Sequence, residues 1–200
     1  MPIFEKQKII FIHIPRTSGT SFGSMYDSNY HFCKNNLNRP YNHNTFLDYE
    51  NSLKEKINNY NIISIVRNPY DRIFSFFKFH LDRPTNLCKI KNMIINEKTN
   101  LNKFNLYLYL LLDKKILSRF NKPYLGSKTQ TSFLLNKNNL IDSKIEIIHF
   151  DDLKNKFPNL PHLNSSVACV NKQEIFTNEN IKIINNYFDE DFINFNYHKL

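Results

Sequence analysis

The 200 residues contain no tryptophan, three cysteines and three glycines, and each scarcity removes a class of protein. Cys33, Cys88 and Cys169 are few, odd in number and unpatterned, which excludes a secreted disulfide scaffold. No CxxC pair or His/Cys cluster has the spacing of a zinc site, so no metal is expected. A Walker A loop, GxxxxGK[ST], is absent. The longest apolar run, residues 104–112, is interrupted by Asn105, far short of the roughly 20 residues that cross a bilayer. Met1 to Lys8 is charged and lacks a signal-peptide core. A soluble, cytoplasmic chain in a reducing compartment is expected. With no internal repeat and no Pro/Ser/Gly-rich linker, a single domain over residues 1–200 is expected as well.

What is present is apolar bulk and positive charge. A 41% hydrophobic share with 18 Phe and 11 Tyr can build a core, which excludes general disorder. Lys and Arg exceed Asp and Glu by 27 − 18 = 9 charges, which points to an anionic partner. Nucleic acid, an acidic surface and a polyphosphorylated small molecule all qualify. The abundance of Asn, Ile and Lys is what an AT-rich genome produces, and it explains much of the charge without any function. The lysines are dispersed and form no basic–aromatic stripe, so nucleic acid is not expected as the partner.

Hydrophobic periodicity supplies the elements. Residues 8–14 (KIIFIHI) and 62–66 (IISIV) read as strands buried on both faces of a parallel sheet. Residues 144–150 (KIEIIHF) read as a third strand, with Asp151 and Asp152 placed to cap the helix that follows. Phe46, Tyr49, Leu53 and Ile57 recur at helical spacing across residues 45–60. Further helices are expected from Thr20, from Tyr70, over 101–120 and over 178–188. Strands alternating with helices imply an α/β fold, a three-layer sandwich around a parallel sheet. Ligands of such sheets bind at the carboxyl ends of the strands.

Two segments at such strand ends carry chemistry. The first, Pro15-Arg16-Thr17-Ser18-Gly19-Thr20-Ser21, packs one cation, four hydroxyl residues and a glycine between a strand and a helix start. Backbone amides of such a turn converge on an anion, the helix dipole adds positive potential, and Gly19 permits close approach. A Ser/Thr-capped helix beside a surface arginine is the plain alternative. The second is Val66-Arg67-Asn68-Pro69-Tyr70-Asp71-Arg72, with Ser75 following. The planar fork of Arg67 suits a phosphate, and Ser75 can add a hydroxyl to it. Asp71 and Arg72 read as a first-turn dipole partner and a packing residue.

The loop IHIPRTSGTSF resembles the 5′-phosphosulfate loop of sulfotransferases that use 3′-phosphoadenosine 5′-phosphosulfate (PAPS), and IVRNPYDRIFSFF resembles their 3′-phosphate segment. The similarity is to the carbohydrate-type branch. It continues through Gln130-Thr131-Ser132-Phe133-Leu134, His149-Phe150-Asp151-Asp152-Leu153, Leu160 to Ser166, and Asp191 to Tyr197. The resemblance implies a P-loop-like strand–loop–helix site and sulfuryl transfer from PAPS to a carbohydrate hydroxyl, releasing 3′-phosphoadenosine 5′-phosphate without a metal. It implies cofactor contacts from Arg16, Thr17, Ser18, Gly19, Thr20, Ser21, Arg67 and Ser75. For Gln130 a substrate contact and a buried hydrogen-bonding role both remain open. Arg16 stands where the family has lysine at the departing oxygen, and Ser165 replaces a late lysine. A non-catalytic sulfonucleotide or nucleic-acid binder is the alternative function, and a nucleotide kinase is disfavoured by the missing Walker lysine.

A general base is needed for the acceptor hydroxyl, and imidazole suits it at neutral pH. His13 and His149 lie in strands, His80 at the far end of a helix, and His162 and His198 in late segments. His43, upstream of the Arg-Asn-Pro segment, matches the family's base. Capping of the next helix is its structural alternative.

Overall fold

The computed structural model describes residues 3–27, 43–82, 89–112, 125–163 and 166–200. In chain order the strands are β1 (Ile3–Phe4), β2 (Ile9–Ile12), β3 (Asn61–Val66) and β4 (Ile145–His149). The helices begin with α1 (Gly19–Tyr26), α2 (Phe46–Leu53), α3 (Pro69–Asp82), α4 (Lys89–Ile94) and α5 (Asn100–Leu112). They continue with α6 (Thr131–Leu134), α7 (Leu153–Lys156), α8 (Lys172–Ile175), α9 (Asn178–Tyr187) and α10 (Asp189–Asn194). The chain divides into two compact units, residues 1–67 with 130–165 and residues 68–129 with 166–200.

The first unit holds the sheet, in the order β1-β2-β3-β4. β2, β3 and β4 run parallel, with Ile10 beside Ile62 and Ile62 beside Ile145. β1 is an antiparallel edge strand, Ile3 against Ile10 and Phe4 against Ile9. The sequence reading contained no β1, because two residues are too few to show a period. All four residues of β2 are buried, as are Ile62 to Val66 of β3. That is the two-sided burial their unbroken apolar runs imply. Phe4, Ile9, Phe11, Phe22, Ile63, Ile65, Ile148 and Leu153 form one core. Phe22 is fully buried there and anchors α1 with about 1.5–3 kcal/mol of transfer free energy.

Two expectations need correcting in this unit. The helix over 45–60 is broken: Lys54 takes φ 51°, α2 stops, and a 3₁₀ turn covers Lys54–Asn59. Phe46 and Tyr49 are buried on α2 and Ile57 on the turn, so the apolar spacing survives the break. Asp151 and Asp152 do not cap the next helix. They lie in a 3₁₀ turn, Phe150–Asp152, and Asp152 makes no side-chain cap before α7.

The second unit is helical and packs Tyr70, Ile73, Phe76, Phe77, Phe104, Tyr107 and Phe188 into its core. α3 starts at Pro69, where a missing N–H costs nothing, and the Asn68 side chain accepts the Tyr70 N–H at 3.0 Å. Arg72 is buried, donates to the Lys128 carbonyl at 3.0 Å and lies 5.3 Å over the Phe76 ring. Burial pushes its pKa down to about 10, partly offset by the Asp191 carboxylate. Asp71 pairs with Lys172. Both residues serve structure, as their place in the sequence suggests. Of the helix expected over 101–120, α5 accounts for residues up to Leu112, and residues 113–120 lie outside the described part.

Candidate functional site

Because β2, β3 and β4 are parallel, their carboxyl ends open on one edge of the sheet. From the end of β2 the chain passes through His13 and Ile14 to a turn in which Arg16 and Ser18 both take φ 69°. Left-handed backbone at a non-glycine residue costs roughly 1–2 kcal/mol, so this turn is held by its surroundings. The Thr17 hydroxyl is buried and donates to the Ile14 carbonyl at 2.8 Å. Ser18 occupies the N-cap of α1 without a side-chain cap, and the first helical bond runs from Phe22 N–H to Ser18 O at 3.0 Å. The amides of the first turn therefore have no partner within the helix. Uncapped amides at the positive end of a helix dipole suit an anionic oxygen. Ser21 is buried, and its hydroxyl accepts the Leu163 N–H at 3.1 Å.

Gly19 meets a packing constraint that the sequence pattern does not show. No glycine has positive φ, and a Cβ at residue 19 would stand 2.0 Å from His13 Cδ2 and 2.2 Å from His13 Nε2. The glycine is required by a buried imidazole pressed against its backbone.

Arg67 follows β3 directly and is the junction of the site. One side chain, Gln130, grips its backbone on both sides: Arg67 N–H donates to Oε1 and Nε2 donates to Arg67 O, each at 2.8 Å. Gln130 is fully buried. The Arg67 guanidinium lies 4.2 Å over the Phe150 ring and donates from Nη1 to the Arg16 carbonyl at 3.3 Å. Arg16, Arg67 and Gln130 are thus brought together, joined by Phe150. The sequence pattern gives Phe150 a place in the third strand and in the family segment but no site role. Its signal was its place one residue past β4, at the same sheet edge.

His43 is half-buried, and its Nδ1 lies 2.7 Å from the His13 carbonyl. A carbonyl only accepts, so Nδ1 carries the proton and Nε2 is the basic nitrogen. The helix cap belongs to Thr45 and Asp48, which form a capping box at the start of α2; His43 is not that cap. Its ring sits 4.4 Å from the His13 ring. His13 is buried, and its pKa falls well below the ordinary value, first through desolvation and then through His43.

Ser75 is half-buried on α3, in the second unit. His80 is buried in that helix, His149 ends β4, and His162 and His198 are exposed. His31 and Ser165 fall outside the described residues. Among the described residues, no three His, Cys, Asp or Glu side chains gather as metal ligands, and no helix is long and apolar enough to cross a membrane.

Residues 1–115 match the model of the Sulfotransferase family. That stretch spans the β2–α1 loop, His43, Arg67 and Ser75, while Gln130 and the later segments lie beyond it. No curated protein and no solved structure matches the chain.

Proposed function

The chain belongs to the sulfotransferase family, transferases of sulfur-containing groups that draw on PAPS, and we propose that it sulfates a hydroxyl of a carbohydrate or glycoconjugate, acting as one domain over residues 1–200. The reading rests most on the junction of Arg67 with the β2–α1 loop, where the guanidinium meets the Arg16 carbonyl at 3.3 Å. One cation at the end of β3 and an uncapped helix N-terminus after β2 suit a nucleotide with two separate anionic groups.

PAPS brings an activated sulfuryl group to be displaced in line, and the protein positions the reactants and neutralises the moving charge. The amides of Ser18, Gly19, Thr20 and Ser21 hold the 5′-phosphosulfate in a P-loop-like turn. Thr17 contributes through its backbone, since its hydroxyl proton goes to the Ile14 carbonyl, whereas the Ser21 hydroxyl only accepts the Leu163 N–H and can still donate. The Arg16 guanidinium meets the charge that grows on the departing oxygen. Arg67 holds the 3′-phosphate. Ser75 joins it on the strength of the sequence pattern alone. Gln130 keeps Arg67 in place, and Nε2 of His43 takes the proton of the acceptor hydroxyl. The carbohydrate acceptor is supported by the resemblance of the segments after residue 130 to the carbohydrate-type branch.

The test is transfer of radiolabelled sulfuryl from PAPS to a panel of glycans by the full chain. Arg16→Ala should lower turnover by roughly 10²–10³-fold, the usual cost of one charge-stabilising donor, with little loss of nucleotide affinity. Arg16→Lys should retain most of the rate. Transfer to no glycan would remove the carbohydrate reading, and wild-type turnover from Arg16→Ala would return the loop to a structural role.

A further inference from the structure

His13 takes no part in the chemistry above, yet it borders both halves of it. Its ring is buried, stacks on Phe11 at 5.6 Å and meets the His43 ring at 4.4 Å. The same ring fills the space beside Gly19, where a Cβ would stand 2.0 Å away. Its carbonyl accepts the Nδ1 proton of His43 at 2.7 Å. One residue therefore touches both the start of α1 and the side chain of His43.

On the reading of His43 as the base, which this inference rests on, we propose that His13 is a positioning residue that fixes the tautomer of His43 and its placement against the β2–α1 loop. The carbonyl selects Nδ1–H and leaves the lone pair on Nε2, the arrangement in which a base is oriented by a third group. The ring supplies the rest. Wedged between Phe11 and the bare face of Gly19, it forms a fixed wall for the His43 ring. Burial holds His13 neutral, so that wall adds no charge beside a group that must accept a proton. Displacements of about 1 Å at such supports can cost 10²-fold in rate, which gives the wall its value.

Proton–nitrogen correlation spectra of the nitrogen-labelled full chain read histidine tautomers directly, without substrate. Wild-type His43 is expected as a single Nδ1–H tautomer when neutral. His13→Ala keeps the carbonyl but removes the wall, so the His43 ring should leave that acceptor and show a mixture of tautomers. His13→Phe, which keeps a ring in the wedge, should restore the single form. A wild-type His43 in the Nε2–H tautomer would overturn the proposal without any variant, and so would His13→Ala with the wild-type pattern. Normal turnover from His43→Ala would instead remove the reading of His43 as base, and the spectra separate that failure from the first.

Discussion

His13 and His43 sit ring against ring, yet the chemistry asks opposite things of them. As the proposed base, His43 has to exchange a proton; His13 has to stay neutral. His43→Ala should lower turnover by roughly 10²–10⁴-fold, the range of a lost general base, with nucleotide binding nearly intact. The wild-type rate should fall on acidification as His43 takes up a proton, and the variant should lack that limb. Rates measured across pH with an acceptor from the glycan panel check both. An intact profile in His43→Ala would turn the search to carboxylates such as Glu50, which accepts the Lys137 N–H at 3.2 Å.

For His13 the observable is stability. Its folded-state pKa lies well below 6.5, mainly because burial disfavours the charged form. On acidification the unfolded chain binds a proton at this residue before the folded chain does. The stabilisation is therefore complete above the unfolded value and is lost as pH falls below it, by up to about 1.4 kcal/mol per pH unit for one such group. Urea midpoints at neutral and mildly acid pH measure the slope. His13→Phe should flatten it, and an unchanged slope would mean that the proton is taken up elsewhere.

At the scale of elements, legibility followed the number of residues that share a pattern. β2 and β3 were readable because unbroken apolar, β-branched runs have few alternatives, and α3 because Pro69 and the spacing after it agree. β1 was hidden by its length. The break at Lys54 was hidden because Phe46, Tyr49 and Ile57 keep their spacing on either side of it. Gly19 shows a different limit: a glycine in a polar loop suggests a ligand, and the structure adds a packing reason, the imidazole of a residue six positions earlier. The clamp of Gln130 on Arg67 joins positions 63 apart, a pairing no local signal encodes. It is testable at its own scale. Gln130→Ala would strand a part-buried N–H and a part-buried C=O at the end of β3, with about 1–3 kcal/mol as the upper bound for each unsatisfied group. Preference for a 3′-phosphate should fall with the stability. Denaturant unfolding and nucleotide titration of the variant check the two effects, and full stability would show that water replaces the amide.

At the scale of the whole molecule, three parallel strands carry the loop of Arg16, the guanidinium of Arg67 and the ring of Phe150 to one edge of the sheet. The family match covers the first two of these, and Phe150 comes from beyond it. Two anion-binding groups rather than one are the central claim, and thermal unfolding in the presence of nucleotides tests it most directly. Adenosine 3′,5′-bisphosphate at 100 times its dissociation constant should stabilise the folded chain by about 2.7 kcal/mol. Adenosine 5′-phosphate at the same concentration should stabilise it far less, because it leaves Arg67 without a phosphate, and Arg67→Ala should erase the difference. Equal shifts with the two nucleotides in the wild-type chain would contradict a 3′-phosphate site at Arg67.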